Sequence, residues 1–222
     1  MSGKAMSYEN RLKNGRGKGT GKDYKPGIKP REARSSGRSI SIPDPKLGRM
    51  VQVLSESELR WYARFWWDDS ITDINEQIYL DDDVIADICS RHGLRPRRGV
   101  STDFLITKAD GSRIAYSIKC NSNKVTKKEK VRFAIEAEYW NSRGVEFRVG
   151  FKDQISRTET NNILDVMSSW NLSDTADDFA VLRFMIARKI IKVDMTVGID
   201  YPALKIQYEK EIEYWKTRCL ES

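Results

Sequence analysis

The sequence predicts an α/β domain built on a mixed sheet, followed by a smaller, mainly helical unit. Three observations carry this. From about residue 40 to 151, runs with helical spacing and runs of alternating apolar residues follow one another in the order helix, strand, helix, hairpin, helix, strand. Asp110-Gly111 sits between two alternating runs, a strong short-range signal for a hairpin. From about residue 154 the pattern turns helical, interrupted only by a short β-prone run, "IIKVDMT".

Each element has its own local warrant. Folded sequence begins near "SISIPDPKLGRMVQVL", where Ile40 and Ile42 alternate. "SESELRWYARFWWDD" opens with a capping box, Ser55-x-x-Glu58, and continues with Leu59, Tyr62, Ala63 and Trp66 at helical spacing. "ITDINEQIYL" reads as a strand. "DDDVIADICSRHG" reads as a short helix, with acids at its N-terminus to suit the dipole and Gly93 at its C-cap. The hairpin follows, then a long helix, "TKKEKVRFAIEAEYWNSRG", ending at Gly144, and a strand, "VEFRVGF". "SRTETNNILDVMSSW" and "SDTADDFAVLRFMIARK" are helical. "YPALKIQYEKEIEYWKTR" is a helix with proline near its first position. The expected organisation is an arm over residues 1–40, a catalytic-sized α/β domain over 41–153 and a small domain over 154–222.

Composition narrows the partners. Residues 1–46 hold twelve Lys/Arg against four Asp/Glu, an excess of +8, while the whole chain carries +7. The remainder therefore sums to about −1, and all of the positive excess lies on the first segment, which points to a polyanion such as nucleic acid. That segment is rich in Gly, Ser, Pro and Lys and poor in large aliphatic residues, so a flexible basic arm is expected there. Its "GTGK" lacks the spacing and the preceding strand of a phosphate-binding loop. Three scattered cysteines, Cys89, Cys120 and Cys219, suggest reduced thiols and a cytoplasmic protein, not a disulfide frame. A single histidine, His92, excludes mechanisms that need two. No run is long and apolar enough to span a membrane, and the first thirty or so residues lack the apolar core of a secretory signal.

Three polar residues stand out on the sheet. With a period of two, Glu76 falls on the apolar face of "ITDINEQIYL", between Ile74 and Ile78. A carboxylate there needs an ion pair, a proton or a metal. Asp103 opens the first hairpin strand, and Lys119 lies near the end of the second, either snorkelling from the sheet edge or serving a site. Register decides whether they meet. A two-residue turn at Asp110-Gly111 would set Asp103 opposite Ile118 and away from Lys119. A three-residue loop, Ala109-Asp110-Gly111 with Gly111 left-handed, would set Asp103 opposite Ser117 and gather Asp103, Ser117 and Lys119 on one face. Glycine in the third position favours the second register. Two acids and a lysine on adjacent strands suit hydrolysis of a phosphodiester with Mg²⁺, since carboxylates are hard oxygen ligands and lysine can neutralise developing charge.

Glu76, Asp103 and Ser117-Ile118-Lys119 together resemble the E…D…xxK site of restriction-endonuclease-like nucleases. The stretches "YKPGIKPREARSSGRSISIPDPKLGRMVQVLSESEL", "ITDINEQIYL", "STDFLI" and "AIEAEYWNSRGVEFRVG" are similar to the TnsA family, the endonuclease subunits of heteromeric bacterial transposases. The resemblance runs from about Tyr24 to Phe151. "AVLRFMIARKIIKVDMT" is similar, more weakly, to that family's winged-helix-like C-terminal domain. The resemblance implies a restriction-endonuclease-like mixed sheet flanked by helices. It implies Mg²⁺ (or Mn²⁺) held by Glu76 and Asp103, with the Ile118 carbonyl and Ser117 as further ligand positions, Lys119 as catalytic lysine and Glu136 as a supporting acid. Ser117 stands where such sites carry Gln or Glu, and a hydroxyl is the weaker ligand. It also implies hydrolysis of the 5′-end strands of a transposon during cut-and-paste transposition. The implied partners are transposon-end DNA, a TnsB-type DDE transposase and a TnsC-type ATPase regulator, in the bacterial cytoplasm. The competing expectations are a restriction or repair nuclease of the same fold, and a non-enzymatic winged-helix DNA-binding regulator in which Glu76, Asp103 and Lys119 are scattered or salt-bridged.

Overall fold

The structure is a computed structural model and describes residues 6–29, 32 and 39–219. It divides into two compact units, one ending at Ile155 and the other beginning at Ser156. Among the described residues no helix is long and apolar enough to cross a membrane.

The first unit contains, in order, α1 (Tyr8–Lys13), β1 (Ile40–Asp44), β2 (Arg49–Val53), α2 (Glu56–Trp67), β3 (Ile71–Tyr79), α3 (Asp82–Arg91), β4 (Ser101–Lys108), β5 (Arg113–Lys119), α4 (Lys127–Asn141) and β6 (Glu146–Phe151). Four strands form one sheet in the order β3-β4-β5-β6. The first three pair antiparallel and β6 runs parallel to β5, its return made through α4. β1 and β2 form a separate antiparallel hairpin. The result is the mixed sheet flanked by helices that the restriction-endonuclease-like expectation describes.

Both faces of the sheet are covered, as a layered α/β unit requires. On one face α2 lays Phe65 against Phe104 and Tyr116, with ring centroids 5.5 and 4.9 Å apart, and Trp61 against Tyr116 at 5.4 Å. On the other, Ile85, Ile88 and Cys89 of α3 and Ile135, Tyr139 and Trp140 of α4 pack on Ile78, Leu80 and Ala115. Gly150 in β6 lies directly beneath Trp61. A Cβ there would meet Trp61 Cε2 at 2.6 Å and Ile118 Cδ1 at 2.8 Å. Gly150→Ala is therefore expected to destabilise the unit by about 1–3 kcal/mol, the usual cost of overpacking, read as a lowered denaturation midpoint.

The β4–β5 register is the one that glycine in the third loop position favours. Phe104 pairs with Tyr116, Leu105 with Ala115 and Ile106 with Ile114. Gly111 is left-handed at φ +80°, and its N–H donates to the Lys108 carbonyl at 2.9 Å.

The first segment departs from the expected flexible arm. Residues 1–5, 30, 31 and 33–38 lie outside the described residues, but 6–29 pack on β3. The Tyr24 hydroxyl donates to the Glu76 carbonyl at 2.6 Å, and Gly27 N–H donates to the Gln77 carbonyl at 3.1 Å. Tyr8 meets Tyr79 edge-on at 5.0 Å. The Arg16 guanidinium is buried and donates to the Pro26 carbonyl and to Glu32, both at 2.6 Å. The glycines serve geometry here: Gly17 and Gly19 sit at φ +76° and +98°, where a Cβ would be strained. The apolar surface that the segment lacks is supplied by the strand it covers.

The second unit holds α5 (Arg157–Met167), α6 (Asp178–Ala187), α7 (Tyr201–Gln207) and α8 (Glu209–Cys219). Ile163, Val166, Val181, Leu182, Met185, Ile186 and Ile212 are buried in it. The helices expected of a winged-helix-like unit are present. The β-prone run Ile190–Thr196 is not a strand. Lys189 turns left-handed at φ 58°, Asp194 accepts from both the N–H and the hydroxyl of Thr196, and Asn162 Nδ2 donates to the Met195 carbonyl at 2.9 Å. β-Branched residues favour strands only where a neighbouring strand can pair with them, and none does so here.

Candidate active site

A cavity of about 370 Å³ opens at the C-terminal end of β5, lined by Ser55, Ser57 and Glu58 from the start of α2, by Asp103, by residues 118–121, and by Lys124, Val125 and Glu129. Asp103 and Lys119 both face it. One Asp103 oxygen accepts the Ile118 N–H at 2.6 Å, so the hairpin itself fixes the carboxylate. The Lys119 ammonium lies 5.9 Å from the Phe133 ring centroid on α4.

The second acid is not the expected one. Glu76 is fully buried but turned toward the β1–β2 hairpin. Its two oxygens accept from Arg49 Nη1 and Nη2 at 2.9 and 2.8 Å, and Oε1 also accepts the Gln52 N–H at 2.9 Å. Burial pushes its carboxyl pKa up and the paired guanidinium opposes this. Alternation correctly predicts that Glu76 is buried, but its partner is an arginine and it does not line the cavity.

Glu58 takes that place. Its Oε2 accepts the Leu54 N–H at 2.8 Å and the Gln77 side-chain amide at 3.1 Å, and its Oε1 accepts the Ser55 hydroxyl at 3.0 Å. Half of the expected capping box forms: Ser55 Oγ accepts the Glu58 N–H at 3.2 Å, but the Glu58 carboxylate accepts the Leu54 N–H and the Ser55 hydroxyl rather than the Ser55 N–H. The same carboxylate thus closes the helix end and faces Asp103. The only sequence signal for this second duty is an acid at the first turn of a helix that precedes the sheet, and helix capping already accounts for it. Gln77, which holds Glu58, is a buried non-glycine residue at φ 56°. Such backbone strain persists only where surroundings over-determine it. Here the Gly27 N–H on its carbonyl and Glu58 on its amide do so.

Ser117 and Glu136 are brought together but away from the cavity. Glu136 is completely buried: Oε2 accepts from Ser117 Oγ at 2.6 Å and Thr102 Oγ1 at 2.9 Å, and Oε1 accepts from Arg132 Nε at 2.7 Å. Its oxygens are engaged in tying α4 to β4 and β5. The ligand role expected of Ser117 has no support, because its hydroxyl is spent on Glu136 and it is absent from the cavity wall. Glu129 lines the cavity but caps its own helix, accepting from the N–H and hydroxyl of Thr126.

Electrostatics single out the Glu58–Asp103 pair. Burial, then the charge of Asp103, pushes Glu58 up to about 8, against the Leu54 and Ser55 hydrogen bonds and Lys119. Asp103 is likewise raised by burial, opposed by Arg132, the Ile118 N–H and Lys119. Two carboxylates crowded at one cavity, each disfavoured as an anion, are the donor set that a divalent cation relieves. The sign of the linkage follows. Glu58 takes up a proton on folding between its ordinary 4.5 and about 8, so without a cation its contribution to stability is full below that range and is lost as pH rises through it. Glu58→Gln, which keeps the capping geometry, is expected to unfold at a higher temperature than the wild type near pH 8 and to lose that advantage near pH 5. Thermal melts across pH in a chelator check this. An advantage that shrinks as pH rises would contradict it.

A mixed four-stranded sheet with acids and a lysine converging at the end of its central hairpin defines the class: a restriction-endonuclease-like nuclease domain. The family described as "TnsA-like endonuclease N terminal" matches residues 68–150, and this chain carries a domain of that family. The chain is also 32% identical over 161 residues to the transposon Tn7 transposition protein TnsA of Escherichia coli, which covers 69% of this chain. The match spans 59% of that protein's length.

Proposed function

We propose that this protein is a metal-dependent DNA endonuclease that hydrolyses the 5′-end strands of a transposon during cut-and-paste transposition. The observation that carries the reading is the meeting of Glu58, Asp103 and Lys119 at one cavity, with Asp103 and Lys119 inside the TnsA-like match over residues 68–150 and Glu58 just before it. The regulator alternative expects Glu76, Asp103 and Lys119 to be scattered or salt-bridged. Glu76 is paired with Arg49, and what favours the nuclease is that Glu58 joins Asp103 and Lys119 at the cavity instead.

Glu58 and Asp103, with the Ile118 carbonyl, would hold Mg²⁺ (or Mn²⁺), which when bound polarises the phosphate and acidifies a water. The protein's own groups do the rest. Asp103 is held by the Ile118 N–H and Glu58 by Gln77 and Leu54, so neither carboxylate must reorganise. Lys119 neutralises the charge that grows on the phosphate oxygens and orients the attacking water. The Glu136 network with Ser117, Thr102 and Arg132 fixes α4 against the two strands that carry Asp103 and Lys119.

The partners proposed are transposon-end DNA, a TnsB-type DDE transposase that acts on the 3′ ends and a TnsC-type ATPase regulator. The test is end cleavage reconstituted with the cognate transposase, with the cut strand mapped. Mg²⁺-dependent 5′-strand cuts that vanish in Asp103→Ala support the reading. Cuts that persist in that variant, or no 5′-strand cut beside active 3′ cleavage, refute it.

A further inference from the structure

A second cavity, of about 530 Å³, lies beside the first and has a different character. It is lined by Arg97, Arg98, Gly99, Val100 and Ser101 from the loop into β4 and by Lys128 and Arg132 from α4. Four cations and no acid form its wall. Lys128 and Arg132 are four residues apart and so share one helix face. Arg132 is neutralised by Glu136 at 2.7 Å. Arg97, Arg98 and Lys128 have no side-chain partner among the described residues, although Arg97 is half-buried. Gathering like charges without counter-charge costs folding energy, and a fold retains such an arrangement most readily where an anion compensates it. The background does not explain it either, since the chain beyond residue 46 is nearly neutral.

We propose that this cleft is a phosphodiester subsite, holding the backbone of the DNA strand next to the phosphate that is cut. The inference rests on the nuclease reading and adds where the substrate lies. The loop that carries Arg97 and Arg98 is held from several sides. Gly99 N–H donates to Asp82 Oδ1 at 2.8 Å, Leu80 N–H to the Val100 carbonyl at 2.9 Å and Arg132 Nη2 to the Ser101 carbonyl at 2.8 Å. Ser101 is two residues from Asp103, about 7 Å along a strand. Charges on one DNA strand recur every 3.4 Å or so of helix axis. A strand crossing from Asp103 to the cleft therefore presents phosphates one or two nucleotides from the reacting one. Arginine and lysine contacts of this kind position the duplex without reading its sequence.

The test is binding of the full-length protein to short fluorescent duplexes, with and without transposon-end sequence, titrated against KCl in EDTA so that no cleavage intervenes. Arg97→Ala combined with Lys128→Ala is expected to weaken binding to both duplexes alike and to reduce the slope of log K against log salt by about 2. Arg113→Ala, at the other end of β5, is expected to leave the slope unchanged. Neither Arg97 nor Lys128 makes a contact that folding needs, and an unchanged melting temperature verifies this. An unaltered slope in the double variant, an equal effect from Arg113→Ala, or no affinity of the wild type for DNA at low salt would each overturn the subsite. The last outcome would favour an acidic protein as the occupant. Asp103-dependent cleavage with an unaltered slope removes the subsite alone, whereas loss of the cleavage reading is registered separately by the reconstituted assay.

Discussion

Glu58→Gln and Lys119→Ala are each expected to lower end cleavage by a factor on the order of 10² to 10³ while the protein stays folded. Glutamine keeps the shape of Glu58 and can still cap α2 through Ser55, but it removes the anion that faces Asp103. Lys119 has an aromatic neighbour in Phe133 and forms no salt bridge among the described residues, so its truncation breaks no ion pair. The cation it removes favours the charged forms of Glu58 and Asp103, which can take up a proton instead. Cleavage measured under single-turnover conditions with the cognate transposase, beside a thermal melt, tests both halves of the expectation. Full activity in Glu58→Gln would remove Glu58 from the site, whatever its place in the cavity.

Glu76→Ala is expected to do the opposite: to cost stability first, by about 3–5 kcal/mol. The carboxylate is completely buried and answers both terminal nitrogens of Arg49, whose side chain is itself almost wholly shielded. Removing it strands a guanidinium between the β1–β2 hairpin and β3, beneath the Tyr24 ring 5.0 Å away. For a unit of this size the melting temperature should fall by about 10 °C. Replacing Arg49 and Glu76 together by apolar residues should recover much of the loss, because the uncompensated charge is then gone. If Glu76→Ala instead melts like the wild type and abolishes cleavage, the structural and catalytic roles of the two glutamates are reversed.

The contrast between these two glutamates shows what a sequence can and cannot convey. Glu76 draws attention because it sits on an apolar face, and that inference about burial is sound. What alternation cannot supply is the partner: Arg49 comes from a different hairpin, 27 positions earlier, and only packing brings it there. Glu58 escapes notice for the converse reason. A local rule, the Ser-x-x-Glu capping pattern, accounts for it in the sequence, and a residue with one sufficient explanation gives no sign of a second. The left-handed Gln77 between them breaks the alternation of β3 at the point where its side chain turns to Glu58. The basic segment offers the same lesson in another form. Its composition says that it cannot fold alone, and it does not: residues 6–29 borrow β3 as their core, and Arg16 is consumed inside.

The sequence by itself determined the order of elements from α2 to β6, the mixed sheet, the three-residue hairpin loop and hence the approach of Asp103 to Lys119. All of these follow from periodicity, capping and turn chemistry acting between neighbours in the chain. Tertiary structure alone decided which carboxylate joins that pair, which one is silenced by an arginine, and that three cations without a side-chain partner among the described residues line a cleft beside them. Those outcomes depend on side chains distant in sequence competing for the same buried charge, and the free energy of that competition is set only once the layers have packed.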